Sequence, residues 1–171
     1  MTIPMFRITD YLDYLVYFTN HHGVHSPFLY SYLTQCLYRG PWHYPCRAVG
    51  IATKSVPYFG IESIGFFPEG TESAQILLAT HPELYKNKPP FDMLFLENPE
   101  PGLFDFSAGN EPVYHNNTLC IIENIRGGSE QRQKWEAVKS NGCVRMTVDA
   151  FSCGLVFFRK ELSRQDFKIR I

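Results

Sequence analysis

Two short stretches, Phe91-Asp92-Met93-Leu94-Phe95-Leu96 and Thr118-Leu119-Cys120-Ile121-Ile122, are nearly unbroken in apolar side chains, and each is closed by the same polar pair, Glu97-Asn98 and Glu123-Asn124. A strand that is half exposed alternates apolar and polar residues. A continuous apolar run this short belongs to a strand covered on both faces, as in parallel sheets flanked by helices. The chain must therefore supply helices to both sides of a sheet. The polar pairs then fall just beyond the carboxyl ends of parallel strands, where open α/β sheets usually bind ligands.

The remaining composition fits one domain of 171 residues, with residues 1–40 as a helical cap and 61–171 as an α/β core. At this length a fold buries roughly 70% of its unfolded surface and needs neither metal nor disulfide. Sixteen Lys and Arg balance seventeen Asp and Glu, which argues against a dedicated nucleic-acid binder. No run approaches the roughly 20 apolar residues of a membrane span, and Met1-Thr2-Ile3-Pro4 lacks a signal-peptide core, so a cytoplasmic location is expected. Five cysteines without a CxxC pair read as reduced, structural thiols. The histidines and cysteines from His21 to Cys46 match no zinc spacing, and no metal site is expected.

Along the chain, Ile8, Tyr11, Leu12, Leu15 and Phe18 make a helical stripe. Ser26-Pro27 starts a second helix whose apolar face runs from Phe28 to Leu37 and which ends at Gly40-Pro41. The prolines and glycines between Trp42 and Gly60 predict an irregular connection. Ile61 to Ile64 reads as a strand entering a turn at Gly65, with a loop through Gly70 and a helix over Ala74 to Ala79. Ser129 caps a helix carrying Trp135 and Val138, stopped by a left-handed residue at Asn141-Gly142. Val144 to Val148 and Gly154 to Arg159 predict an antiparallel pair, with Phe167 to Ile171 as a third strand or an edge.

The His25-Ser26-Pro27-Phe28 segment, the strand ending Ile122-Glu123-Asn124-Ile125, the Trp135 helix and the Gly154-Leu155-Val156-Phe157-Phe158-Arg159-Lys160 run together resemble a Bacteroides-type group of class I S-adenosylmethionine-dependent methyltransferases. The resemblance implies a Rossmann-like sheet of seven strands whose last strand is antiparallel. It also implies a glycine turn after the first strand for the cofactor, here Gly65 and Gly70, and a carboxylate for the adenosine ribose. In an alternative registration the first strand lies near Arg47 to Thr53, and Glu62 becomes the ribose carboxylate. Glu97, Glu123 and Asn124 fall where metal-dependent members carry acceptor-orienting or metal-binding groups.

Two features separate the chain from that pattern. Phe66, Phe67 and Pro68 crowd the turn that should be open, and His81 to Pro90 is too short to hold further parallel strands with their crossover helices. The expected fold is therefore an α/β, shortened Rossmann-like (methyltransferase-like) sheet with N-terminal helices and an antiparallel C-terminal hairpin. The expected function is that of a degenerate, inactive methyltransferase-like binding or interaction module without cofactor, contacting a protein partner or a second copy through the aromatic N-terminal helices. The alternative is an active S-adenosylmethionine-dependent methyltransferase acting on a small acceptor. No nucleic acid or membrane partner is expected.

Overall fold

The computed structural model describes residues 25–84, 88–105 and 111–171, so the expected first helix and its stripe from Ile8 to Phe18 lie outside the described residues. Helix α1 (Pro27–Tyr32) begins as its sequence dictates, with the Ser26 hydroxyl accepting the Leu29 amide at 3.3 Å and proline in the first turn. It runs on as a π-helical turn, Leu33–Leu37.

The segment expected to be irregular is instead helix α2 (Arg47–Phe59). Two features reconcile its glycine and proline with a helix. Pro57 lies in the last turn, and Gly60 closes the helix in the left-handed conformation, φ +64°. Gly50 is required for packing, because a Cβ there would lie 2.5 Å from the Trp42 ring and 2.7 Å from that of Tyr44. This helix occupies Arg47 to Thr53, which removes the alternative registration with a first strand there.

Strand β1 (Ile64–Phe67) leads through Pro68–Gly70 into helix α3 (Glu72–Thr80), whose first amides are capped by Thr71. The strand thus starts later than expected, and Gly65 lies inside it rather than in the turn. Strands β2 (Phe91–Leu96) and β3 (Tyr114–Glu123) follow, the latter longer than its apolar run. Helix α4 (Ser129–Ser140) has Gly128, not Ser129, at its N-cap, and Asn141 leaves it in extended rather than left-handed conformation, φ −62° and ψ 136°. Strands β4 (Met146–Asp149), β5 (Cys153–Phe157) and β6 (Gln165–Lys168) complete a six-stranded mixed sheet in the order β1-β2-β3-β5-β4-β6.

Strand β5 alone runs against the others. It pairs antiparallel with both β3 and β4, while β1, β2 and β3 pair in parallel and β6 is parallel to β4. The period-2 alternation within each strand then divides the core. Met93, Phe95, Leu119, Ile121, Leu155 and Phe157 face α1, α2 and α3, in a cluster with Leu29, Tyr32, Ile51 and Leu77. Leu94, Leu96, Cys120, Ile122 and Val156 face the other way, toward Phe104 and the Trp135 and Val138 side chains of α4. With both faces covered, every one of these positions is apolar, which is why the runs in the sequence do not alternate.

Candidate functional site

The carboxyl ends of β2 and β3, the β4–β5 turn and the amino end of α2 enclose a cleft of about 360 Å³, bordered by Cys46, Arg47, Glu97, Asn98, Glu123, Asn124 and Ser152. Parallel pairing creates it. The Glu97 amide continues the β1–β2 ladder by donating to the Phe67 carbonyl at 3.0 Å, which places the Glu97-Asn98 pair beside Glu123-Asn124 of the adjacent strand. Asn124 is left-handed, φ +53°, a conformation its short amide side chain tolerates. Its Nδ2 donates to Asn98 Oδ1 at 2.7 Å and closes the rim between the two strands.

The two carboxylates differ in their surroundings. Glu123 is half-buried and accepts from the Ser73 hydroxyl at 3.0 and 3.2 Å and from the Cys46 thiol at 3.2 Å. Burial pushes the Cys46 thiol up, and Glu123, to which the thiol donates, adds to that rise against the opposing hydrogen bond at Val49. Glu97 is exposed, and its carboxylate makes no hydrogen bond or ion pair among the described residues. Arg47 reaches across from α2 to donate to the Ala150 carbonyl at 2.7 Å, fixing the helix terminus over the β4–β5 turn. Beside it Asp149, buried at the end of β4, pairs with Arg126 and accepts the Phe151 amide at 2.9 Å. The Arg126-Gly127-Gly128-Ser129 turn is therefore committed to an internal ion pair. A Cβ at Gly127 would lie 2.1 Å from Asn124 Oδ1, so that glycine makes room for the amide at the rim.

Glu97, Glu123 and Asn124 thus come together as their positions after the strands imply. The other three expected site residues do not join them. Gly65 sits within β1, where a Cβ would lie 2.7 Å from the Phe91 ring, so the space its missing side chain leaves is taken by an aromatic neighbour. Gly70, φ +76°, is in the open turn before α3, and with Gly65 and the Phe91 ring it borders a separate, mainly apolar cavity of about 310 Å³ beside β1, so the two glycines share one recess apart from the cleft. Glu62 precedes β1, at the amino end of the sheet, where its backbone amide donates to Asp92 at 3.1 Å. Strand β1 separates it from the cleft.

Among the described residues no three of His, Cys, Asp and Glu gather at metal-holding distances. The cleft offers a hard cation one free carboxylate, Glu97, and amide oxygens, while both Glu123 oxygens already accept hydrogen bonds. Chemically it is a polar recess that can donate through α2's first amides and accept through Glu97. Cys46 and Arg47 escaped the sequence because no helix was read at Arg47–Phe59, and Ser73 because the helix expected over Ala74 to Ala79 begins at Glu72. The amphipathic face of Ala48, Ile51, Ala52, Ser55 and Val56 carries the signal that would have found the first of these helices.

Compared with protein-family models, curated proteins and solved structures, the chain matches none of them.

Proposed function

We propose that the chain is a shortened, methyltransferase-like protein with a Rossmann-like sheet, and that its carboxyl-edge cleft binds a small polar ligand or a partner segment without transferring a methyl group. The observation that carries this reading is the surroundings of Gly65. The glycine expected to let a cofactor approach lies within a strand and is covered by the Phe91 ring, while Glu62 stands at the other end of that strand. Strand β1 is the border strand of the sheet, so among the described residues no neighbouring strand supplies a ribose carboxylate beside it. The single antiparallel strand, β5, inserted between parallel neighbours supports the kinship. A fold alone does not carry activity, which resides in the site.

The reading includes a protein partner or a second copy at the N-terminal helical face, supported by the surface aromatics Tyr30, 44% exposed, and Tyr38, 38% exposed. Calorimetric titration with S-adenosylmethionine and S-adenosylhomocysteine tests the central point, since a ligand that binds the native state alone also stabilises it. No binding at millimolar ligand is expected. Micromolar affinity would overturn the reading in favour of an active methyltransferase, with the free Glu97 carboxylate and the Asn124 amide orienting the acceptor.

A further inference from the structure

The opposite end of the sheet carries its own cavity, of about 280 Å³. Because β5 runs antiparallel, its carboxyl end meets the amino end of β3, bringing Phe158 and Lys160 to Tyr114 and His115; Arg145, just ahead of β4, and Cys143 close the remaining side. The Tyr114 and Phe158 rings stack with centroids 4.0 Å apart and planes 17° from parallel, and the half-buried Tyr114 with the buried Phe158 behind it makes an aromatic wall.

Two cations border that wall, and no carboxylate among the described residues pairs with the side chain of either Arg145 or Lys160. The acidic groups described nearby hydrogen-bond to other partners, and none of them forms an ion pair with either cation, although the Asn116 amide and, to a smaller extent, Lys160 help to hold the adjacent Glu161 carboxyl below its ordinary value. Asp92 is bound to the His115 ring at 3.0 Å, Asp105 accepts from Asn141 at 2.7 Å, and Glu161 accepts from Asn116 at 3.0 and 3.2 Å. The mounts are fixed as well. The Arg145 amide donates to the Phe157 carbonyl at 2.9 Å and its own carbonyl accepts from Gln165 at 3.0 Å, while the Lys160 amide donates to Asn116 Oδ1 at 2.9 Å. The His115 ring nitrogens are both occupied, by Asp92 and by the Asn117 amide, so the imidazole acts as a wall.

A half-buried guanidinium and an exposed ammonium beside a stacked aromatic pair, neither of them in an ion pair among the described residues, are complementary to an oxyanion carried on a flat apolar body. The guanidinium fork matches the two oxygens of a carboxylate or phosphate, and the rings match the body. We propose that this cavity is a binding site for a small organic anion of that kind, independent of the carboxyl-edge cleft.

Titration calorimetry with phenyl phosphate, benzoate, inorganic phosphate and benzyl alcohol tests it. Saturable binding of phenyl phosphate or benzoate is expected, and whichever saturates identifies the anionic group. Arg145→Gln should weaken that binding about tenfold or more, the size expected for a charge-assisted contact. Lys160→Gln, at an exposed position, gives a second measure should Arg145→Gln fail to fold, whereas Arg170→Gln, an exposed charge beyond the carboxyl end of β6 and so at the other end of the sheet, leaves the affinity unchanged. Raising the salt from about 50 to about 500 mM should also weaken it through screening. The proposal is overturned if neither aromatic anion saturates at millimolar concentration. It also fails if inorganic phosphate or neutral benzyl alcohol binds as tightly as the aromatic anions, or if Arg145→Gln and Lys160→Gln both bind like the parent.

Discussion

Asp92→Asn preserves side-chain size while removing the charge and part of the acceptor capacity on which the amino end of the sheet relies. In the native fold Asp92 Oδ2 accepts from the Ser63 hydroxyl at 2.8 Å and from the Ser63 and Glu62 amides at 2.9 and 3.1 Å. Its Oδ1 faces His115 Nε2 at 3.0 Å. The Asn117 amide donates to His115 Nδ1 at 3.1 Å, so Nε2 is the ring's donor and all four groups around the carboxylate present protons to it. An amide side chain must turn its NH₂ toward either Ser63 and Glu62 or His115, and in either case a donor meets a donor. Hydrogen bonds to a charged acceptor contribute about 1.5–3 kcal/mol each. With the Asp92 side chain 34% exposed, solvent screens part of this, and the substitution should cost about 2–3 kcal/mol.

For a domain of this size that cost corresponds to a fall of about 4–12 °C in Tm. Urea unfolding at pH 7 measures the free energy directly. The pH dependence supplies a second signature. Burial pushes the Asp92 carboxyl up, but the Ser63 hydroxyl, the Glu62 and Ser63 amides and the His115 ring together hold it below its ordinary value. A depressed folded-state pKa contributes stability that is fully present above the unfolded value of about 3.9 and lost as the pH falls through the folded one. The gap between parent and Asp92→Asn should therefore be widest near neutrality and narrow in acid. Equal stabilities at pH 7, or a gap that keeps its full size after both proteins are acidified below the folded-state value, would refute the reasoning.

Gly154→Ala should destabilise by about 1–3 kcal/mol, because its Cβ would lie 2.5–3.0 Å from three atoms of the buried Trp135 ring in a tightly packed core; chemical denaturation checks this, and an unchanged midpoint would mean that the ring has room to move. Thiol titration at pH 8 should separate two classes. Burial raises Cys36 to about 11, Cys153 to about 12 and Cys120 well above its ordinary value, so these three stay protonated and react only on unfolding, after the half-buried Cys46 and Cys143. Modification of Cys153 in the folded protein at the rate of Cys46 would contradict the packing.

Much of the fold was legible because burial on two faces leaves a local trace. The apolar runs at Phe91–Leu96 and Leu119–Ile122 announced the two central parallel strands, and Ser26-Pro27 announced a helix start that the Leu29 amide confirms. Reading failed where a breaker residue is used for packing or capping. Gly50, Pro57 and Gly60 read as loop, yet the first faces Trp42, the second sits in a last turn and the third is a C-cap. Gly65 misled for a related reason, since a glycine beside the Phe91 ring and a glycine in a ligand-binding turn have the same sequence appearance.

The amino-acid order by itself settled which side chains must leave water, and hence an α/β sheet covered by helices, with acidic and amide residues waiting at strand ends. Tertiary structure alone decided their company. It joined Cys46 to Glu123 across 77 positions, gave Glu123 two hydroxyl contacts from Ser73 and left Glu97 open, and put Glu62 at the other end of β1. The reason is physical. Apolar burial is non-directional and summed over area, so its demands are written into local patterns, whereas a hydrogen bond depends on distance and angle and exists only after strand order and register have brought its two partners together.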